Sequence, residues 1–346
     1  MTLIYFILIL GITIFIHELG HFIWAKKSNI YVYEFSIGMG PAIKTWKRKN
    51  DETEYSIRLF PIGGYVSMAG EEMDDDDNIP DERKLPNRPW RQRFITIAAG
   101  IIHNFILALV VFFIVGLVVG ASGSTAKIVS IEENTPAYKA GLEVGDKIIK
   151  LNGKKVDTDS LMLKLAINDG KSARFTVKKA DGSYDNIVVK PEKIENEDKT
   201  TSYRFGFGMG SDIKKGILPS IGYAFRKFKS LIVQMFYTIA YLATGRLSFD
   251  NISGPVGIYT IVGETAKTGF INVVYLLGYI SLNVGFMNFL PIPAFDGGRL
   301  LFLIIENIKR KRVSPRFENT VHAIGMAFLL ALMIFITYND IVKIFF

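Results

Sequence analysis

His17, Glu18 and His21 form an H-E-x-x-H string inside Met1–Ala25, a stretch otherwise apolar but for two threonines. On a helix, positions i and i+4 share a face, so both imidazoles can bind one metal ion. Glu18 points to the neighbouring sector, where a carboxylate can take the proton of a metal-activated water. Two imidazoles and a carboxylate are costly at membrane depth, so they point to use rather than filler. The chemistry they suit is metal-assisted hydrolysis.

Two histidines leave such a site incomplete, because a catalytic zinc takes three protein ligands plus an open position. The leading candidate for the third is Asp296, in the run from Asn288 through Pro291 and Pro293 to Asp296-Gly297-Gly298. This is another carboxylate in an apolar stretch, and its prolines and glycines break the helix so that the carboxylate can approach a metal. Glu306 and His103 are rivals for the same role. His322, close to the basic run Lys309–Arg312, reads as a membrane-interface residue.

The elements that must position these groups follow from composition. The chain has 346 residues, of which 49% are hydrophobic, and its mean hydropathy is +0.25. These values indicate a membrane protein rather than two or three soluble domains. Cysteine is absent, which excludes disulfides and thiolate ligands. Met1–Ala25 is too long for a signal-peptide core and lacks an Ala-x-Ala site, so it is expected to be a retained span. Further spans are expected over 94–120, 273–308 and 323–346. The first carries H-E-x-x-H and the third carries Asp296, giving a multi-pass α-helical membrane protein with about four transmembrane helices.

The net charge of +8 could suggest nucleic acid, but the basic residues cluster beside the spans. Lys26 and Lys27 follow the first, Arg88, Arg91 and Arg93 precede the second, and Lys309–Arg312 precede the last. The positive-inside rule makes those connections cytoplasmic and the termini and region 121–272 external. His17 and His21 then lie toward the cytoplasmic end of their span, and Asp296 at matching depth.

Region 26–93 alternates apolar residues with glycines over 34–41 (EFSIGMGP) and 55–66 (YSIRLFPIGGYV), as hairpin strands do. Beside the motif, such strands are expected to re-enter the membrane where protein or water covers their edges. The acidic run Asp74–Asp77 reads as a solvated loop. Region 121–210 reads as a small α/β domain, with strands over 127–131, 173–178 and 186–189, a helix over 160–168, and Ala140-Gly141-Leu142, Gly145-Asp146 and Asn152-Gly153 between them. That succession resembles a bacterial PDZ domain, whose kind binds peptide ends by strand addition. Residues 192–201 read as charged linker, and 211–272 as amphipathic helices at the membrane interface or packed on the spans.

Taken together, H-E-x-x-H in the first span, N-x-x-P-x-P-x-x-D-G in the third and an intervening PDZ-like domain resemble the bacterial site-2 proteases. The resemblance covers essentially the whole chain. It implies an intramembrane zinc metalloprotease with one zinc per chain, held by His17, His21 and Asp296, and with Glu18 as general base. It further implies substrate contacts at Gly38, Met39 and Gly40 of the hairpin and at Asn104, Asn283 and Asn288. The implied substrates are single-pass transmembrane proteins, such as anti-sigma factors or signal-peptide remnants, cut within the bilayer of a bacterial inner membrane. Two departures stand out: Gly100-Ile101-Ile102-His103-Asn104 lacks the proline of the family's G-P-x-x-N, and Phe295 replaces the leucine of L-D-G. A catalytically idle scaffold and an ion transporter are the readings from other classes. Intact ligands and base speak against the first, and a lack of visible internal repeats against the second.

Overall fold

The computed structural model describes residues 1–71, 78–195, 201–245 and 253–345. In chain order the elements are α1 (Thr2–Lys27), β1 (Val32–Lys47), β2 (Glu54–Met68), α2 (Trp90–Val119), β3 (Ala121–Ser122), β4 (Ala126–Ile131), α3 (Pro136–Lys139), β5 (Lys147–Leu151), β6 (Lys154–Lys155) and α4 (Thr158–Ala166). They continue as β7 (Ala173–Lys178), β8 (Tyr184–Val189), β9 (Glu192–Glu195), β10 (Thr201–Arg204), β11 (Phe207–Gly210), β12 (Ile213–Lys214), α5 (Ile217–Ala243), α6 (Pro255–Lys267), α7 (Phe270–Phe289), α8 (Asp296–Lys309) and α9 (Pro315–Phe345). The acidic run Asp74–Asp77 lies outside the described residues. Among the described residues, four helices are long and apolar enough to cross a membrane: Thr2–Lys27, Trp90–Val119, Phe270–Phe289 and Arg316–Val342. The chain divides into one compact unit of Met1–Val111 with Met235–Phe346, and a second of Phe112–Gln234.

The first unit holds the metal-motif elements. The expected third span over 273–308 is two helices, α7 and α8, separated by the turn at 290–295. Pro291 and Pro293 account for the break, since neither supplies the N–H a continuing helix needs. The second and fourth spans begin earlier than expected, at Trp90 and Pro315, because their polar first turns carry no hydropathy signal. Ile9 of α1, Val262 of α6, and Val273, Leu276 and Ile280 of α7 make one buried cluster. Ile97, Ala98 and Ile101 of α2 make another with Leu300 and Leu303 of α8.

The two strands after α1 are longer than the sequence suggests. Each bends, so that they pair three times: Val32–Ile37 lies against Gly64–Met68, Glu34–Ile37 also against Glu54–Ile57, and Ala42–Lys47 against Glu54–Arg58. The bend in β1 needs Gly38, whose φ is +91° and where a Cβ would come within 2.7 Å of the Phe60 carbonyl oxygen. Ala25 of α1 shares a buried cluster with Ile30, Val32, Phe35, Tyr55, Val66 and Met68, which ties the sheet to the helix carrying H-E-x-x-H. Lys26 closes the junction, its Nζ 2.8 Å from Asp51 Oδ1 and 2.7 Å from Glu52 Oε1. Burial alone would raise the Asp51 pKa, but hydrogen bonds from Lys26, the Thr53 N–H and the Tyr55 hydroxyl hold it well below the usual carboxylate range.

In the second unit the sheet order is β11-β4-β5-β7-β8, with β6 beside β5. Ile128, Ile148, Leu151, Leu161, Phe175 and Val177 fill its core. Helix α4 is capped by Asp157, whose side chain accepts from the Ser160 N–H at 2.8 Å while Ser160 Oγ accepts from the Asp157 N–H at 2.9 Å. This capping box explains why α4 begins at Thr158, ahead of the expected 160. The expected linker over 192–201 is instead two paired strands as far as it is described, with β9 against β10 and Arg204 opposite Glu192. An ion pair crosses between them, Arg204 Nη2 lying 2.6 Å from Glu192 Oε1, so a polar composition concealed paired strands.

Arg93 of α2 and Glu306 of α8 form a two-pronged ion pair at 2.9 and 2.5 Å, with little of either side chain exposed. Removing one partner strands a largely buried charge, whereas replacing both does not. Glu306→Leu is therefore expected to lower the melting temperature of the solubilised protein more than Arg93→Leu/Glu306→Leu does. Equal losses in the two variants would show that the pair does not hold α2 against α8.

Candidate active site

Helical spacing puts His17 and His21 on one face of α1, both buried, with the ring centroids 4.8 Å apart. Their Nε2 atoms are 3.2 Å from each other. Asp296, the first residue of α8, places Oδ2 at 3.1 Å from His17 Nε2 and 3.3 Å from His21 Nε2. Among the described residues these three are the group of His, Asp and Glu side chains that could hold a metal ion.

The surroundings fix which ring nitrogens are free. His21 Nδ1 faces the Thr96 carbonyl at 2.9 Å and donates its proton there, which leaves the lone pair on Nε2. His17 Nδ1 faces the Asn104 side-chain amide at 3.2 Å. Asn104 is fully buried, and Oδ1, the other end of its amide, has no hydrogen-bond partner. With the amide turned so that Oδ1 accepts from His17 Nδ1–H, His17 also keeps its Nε2 lone pair. Asp296 Oδ2 is likewise buried without a hydrogen bond. Three lone pairs converging with no proton between them repel one another unless a cation sits among them. Tetrahedral contacts of about 2.0–2.2 Å would separate such donors by about 3.3 Å. The donor set fits zinc.

Room for the rings comes from α2. A Cβ at Gly100 would stand 2.7 Å from His17 Cε1 and 2.8 Å from His21 Cε1, and closer still to His21 Nε2. At Gly20 a Cβ would meet the Ala99 carbonyl oxygen at 2.5 Å, so α1 and α2 touch there backbone to backbone. Asp296 is brought in by the turn ahead of α8, which folds tightly on itself. A Cβ on Gly298 would lie 2.6 Å from the Ile292 carbonyl oxygen.

A cavity of about 570 Å³ opens on the cluster, lined by Glu18 as well as by His17, His21 and Asp296. Tyr65, Val66 and Met68 of β2 form part of its wall. A Cβ on Gly64 would be 3.6 Å from Glu18 Cγ, so the strand edge passes close to that carboxylate. Glu71 and Arg299 form an ion pair on the same wall.

Other residues singled out in the sequence fall elsewhere. Gly38, Met39 and Gly40 lie at the bend of β1, where Met39 packs on Gly63. The amides of Asn283 and Asn288 donate to the carbonyls of Tyr279 and Val284 one turn back along α7, at 2.8 and 3.1 Å. None of these five lines the cavity. Glu306 is engaged by Arg93, and His103 Nδ1 faces the Ala99 carbonyl of its own helix at 2.8 Å, so neither joins the metal cluster. His322 lines the cavity, a placement the interface reading missed. Thr96, Gly100, Tyr65 and Val66 went unassigned in the sequence. Gly100 alone carried a signal, as a glycine inside an apolar helix with no turn to explain it.

Comparison with known proteins now decides the family. The sequence pattern of peptidase family M50 matches residues 5–332. The chain belongs to that family. It is 32% identical to the regulator of sigma-W protease RasP of Bacillus subtilis, over 99% of both chains. It is also 37% identical to a putative zinc metalloprotease of Clostridium acetobutylicum, over 97% of this chain and 96% of the relative, and 34% identical to one of Clostridium perfringens, over 99% of each. This M50 peptidase is a multi-pass membrane zinc metalloprotease.

The packing at Gly100 makes a sharp prediction for the M50 site. Gly100→Ala is expected to push the His21 ring aside, at the cost typical of overpacking, and to weaken zinc binding by about tenfold or more. Elemental analysis of the purified variant after dialysis at fixed free zinc checks this. Full occupancy in a folded Gly100→Ala protein would mean that the close approach of α2 does not set the ring positions.

Proposed function

We propose that the protein is an intramembrane protease whose zinc is held by His17, His21 and Asp296 and whose general base is Glu18. One observation carries this reading: two imidazole Nε2 atoms and a carboxylate oxygen converge at 3.1–3.3 Å, in a cavity that Glu18 also lines. When bound, zinc supplies a Lewis acid that polarises a peptide carbonyl and lowers the pKa of water toward about 7. Glu18 takes the proton of the attacking water on a carboxylate oxygen and passes it to the departing amine. Thr96 and Asn104 hold the two imidazoles so that each keeps its lone pair on Nε2.

A peptide bond within a transmembrane helix is shielded by its own hydrogen bonds, so cleavage requires local unwinding. The edge of β2 at 64–68 supports a way to achieve it. One side of that segment pairs with Val32–Ile37, and among the described residues no strand pairs with the other. A substrate segment added there as a strand would lie extended beside Glu18. In this reading the substrates are single-pass membrane proteins such as anti-sigma factors or signal-peptide remnants, and the name of the B. subtilis relative supports the first. Sheet β11-β4-β5-β7-β8 with α3 and α4 would be an extracytoplasmic PDZ domain that filters or docks substrates, and β1–β2 a re-entrant hairpin. The basic residues at 26–27, 88–93 and 309–312 support a site toward the cytoplasmic face.

Glu18→Gln tests the assignment of the base. Cleavage of a single-pass membrane reporter in proteoliposomes is expected to fall by about a hundredfold or more, with zinc content unchanged. Cleavage at the wild-type rate would overturn Glu18 as base.

A further inference from the structure

His322 of α9 bears on the segment that delivers Asp296. The turn at 290–295 is held internally by few bonds, among them Ile292 N–H to the Leu290 carbonyl at 2.7 Å, Phe295 N–H to Ile292 at 3.2 Å and Gly298 N–H to Phe295 at 3.0 Å. Ala294, two residues before Asp296, has φ +82°, a left-handed conformation that a residue bearing a Cβ adopts only under constraint. The constraint is visible: the Ala294 N–H donates to His322 Nδ1 at 2.9 Å.

Three further observations mark this contact as built. Gly325 lies one helical turn beyond His322 on the same face of α9. A Cβ there would come within 2.5 Å of Pro293 Cβ and 2.6 Å of its carbonyl oxygen, so glycine lets α9 close onto the turn. The Phe302 ring of α8 packs edge-on against the imidazole with centroids 5.9 Å apart. Because Nδ1 accepts, the neutral ring carries its proton on Nε2, and Nε2 is buried without a partner. A leucine in its place would avoid that burial, so what the imidazole offers at this position is the acceptor at Nδ1. The far end of α9 is anchored separately, by Asp340 Oδ2 accepting from the Gly257 N–H of α6 at 2.8 Å.

We infer that His322 is a positioning residue for the metal centre: through the Ala294 N–H it fixes the left-handed turn that sets Asp296 Oδ2 opposite His17 and His21. The inference rests on the reading of Asp296 as a metal ligand.

The test is the rate at which the purified, zinc-loaded protein surrenders zinc to excess chelator, with Asp296→Asn as reference. His322→Leu removes the acceptor and is expected to release zinc about tenfold faster or more, the usual cost of losing a group that orients a ligand. His322→Asn places Oδ1 near the position of Nδ1 and is expected to stay within about threefold of wild type. Ala294→Gly relieves the left-handed constraint, so Ala294→Gly/His322→Leu is expected to recover most of the retention. Wild-type release from folded His322→Leu, with rapid release from Asp296→Asn, overturns the inference and leaves the metal site standing. Wild-type release from Asp296→Asn overturns both. Should His322→Leu fail to fold, His322→Asn decides, since retention supports the role and rapid release from folded protein overturns it.

Discussion

Everything in this protein turns on holding three electron-rich atoms together inside a helical membrane protein. Two imidazole nitrogens and a carboxylate oxygen stand 3.1–3.3 Å apart, in surroundings that cannot screen them. Such a cluster is stable only if a cation joins it and if the protein prevents each group from turning away. The backbone contact between Gly20 and Ala99, the space left at Gly100, and the hydrogen-bonding groups of Thr96 and Asn104 beside the two rings all serve that restraint. The break in the third span belongs to the same account. A continuous helix over 273–308 would carry Asp296 as one more side chain on a cylinder, whereas the turn delivers it from a helix start.

In the proposed reading, water and an extended peptide would both have to reach this site, and neither is at home among apolar helices. The bent pair β1–β2 would answer the second need. It is tied to α1 by the cluster around Phe35 and Tyr55 and by the grip of Asp51 and Glu52 on Lys26, and so the edge at 64–68 keeps station beside Glu18. The cavity of about 570 Å³ answers the first, since it brings polar groups and open volume to the cluster together.

Much of this was legible in the chain, for reasons that differ by residue. His17, Glu18 and His21 are readable because helical periodicity alone places them, and Asp296 because a lone carboxylate among prolines and glycines has few structural excuses. Span number was readable from hydropathy, but span ends were not, since the first turns of α2 and α9 are polar. The break at 290–295 was legible from Pro291, Pro293 and the glycines after Asp296, although its extent, two separate helices, was not. His322 was misread because its neighbours in sequence are basic while its neighbours in space are Ala294 and Phe302. Cross-strand pairing also decided β9 and β10, where charge suggested a linker and the Arg204–Glu192 ion pair joins two strands. Hydrogen-bond partners such as Thr96 carry no signal at all, because a backbone carbonyl is the same in every residue.

X-ray absorption at the zinc edge tests the centre most directly. The account predicts a first shell of light atoms at about 2.0–2.1 Å with outer scattering from two imidazoles, reduced to one imidazole in His21→Ala. Two imidazole contributions persisting in His21→Ala would contradict it, since the zinc would then be held by histidines other than the pair on α1.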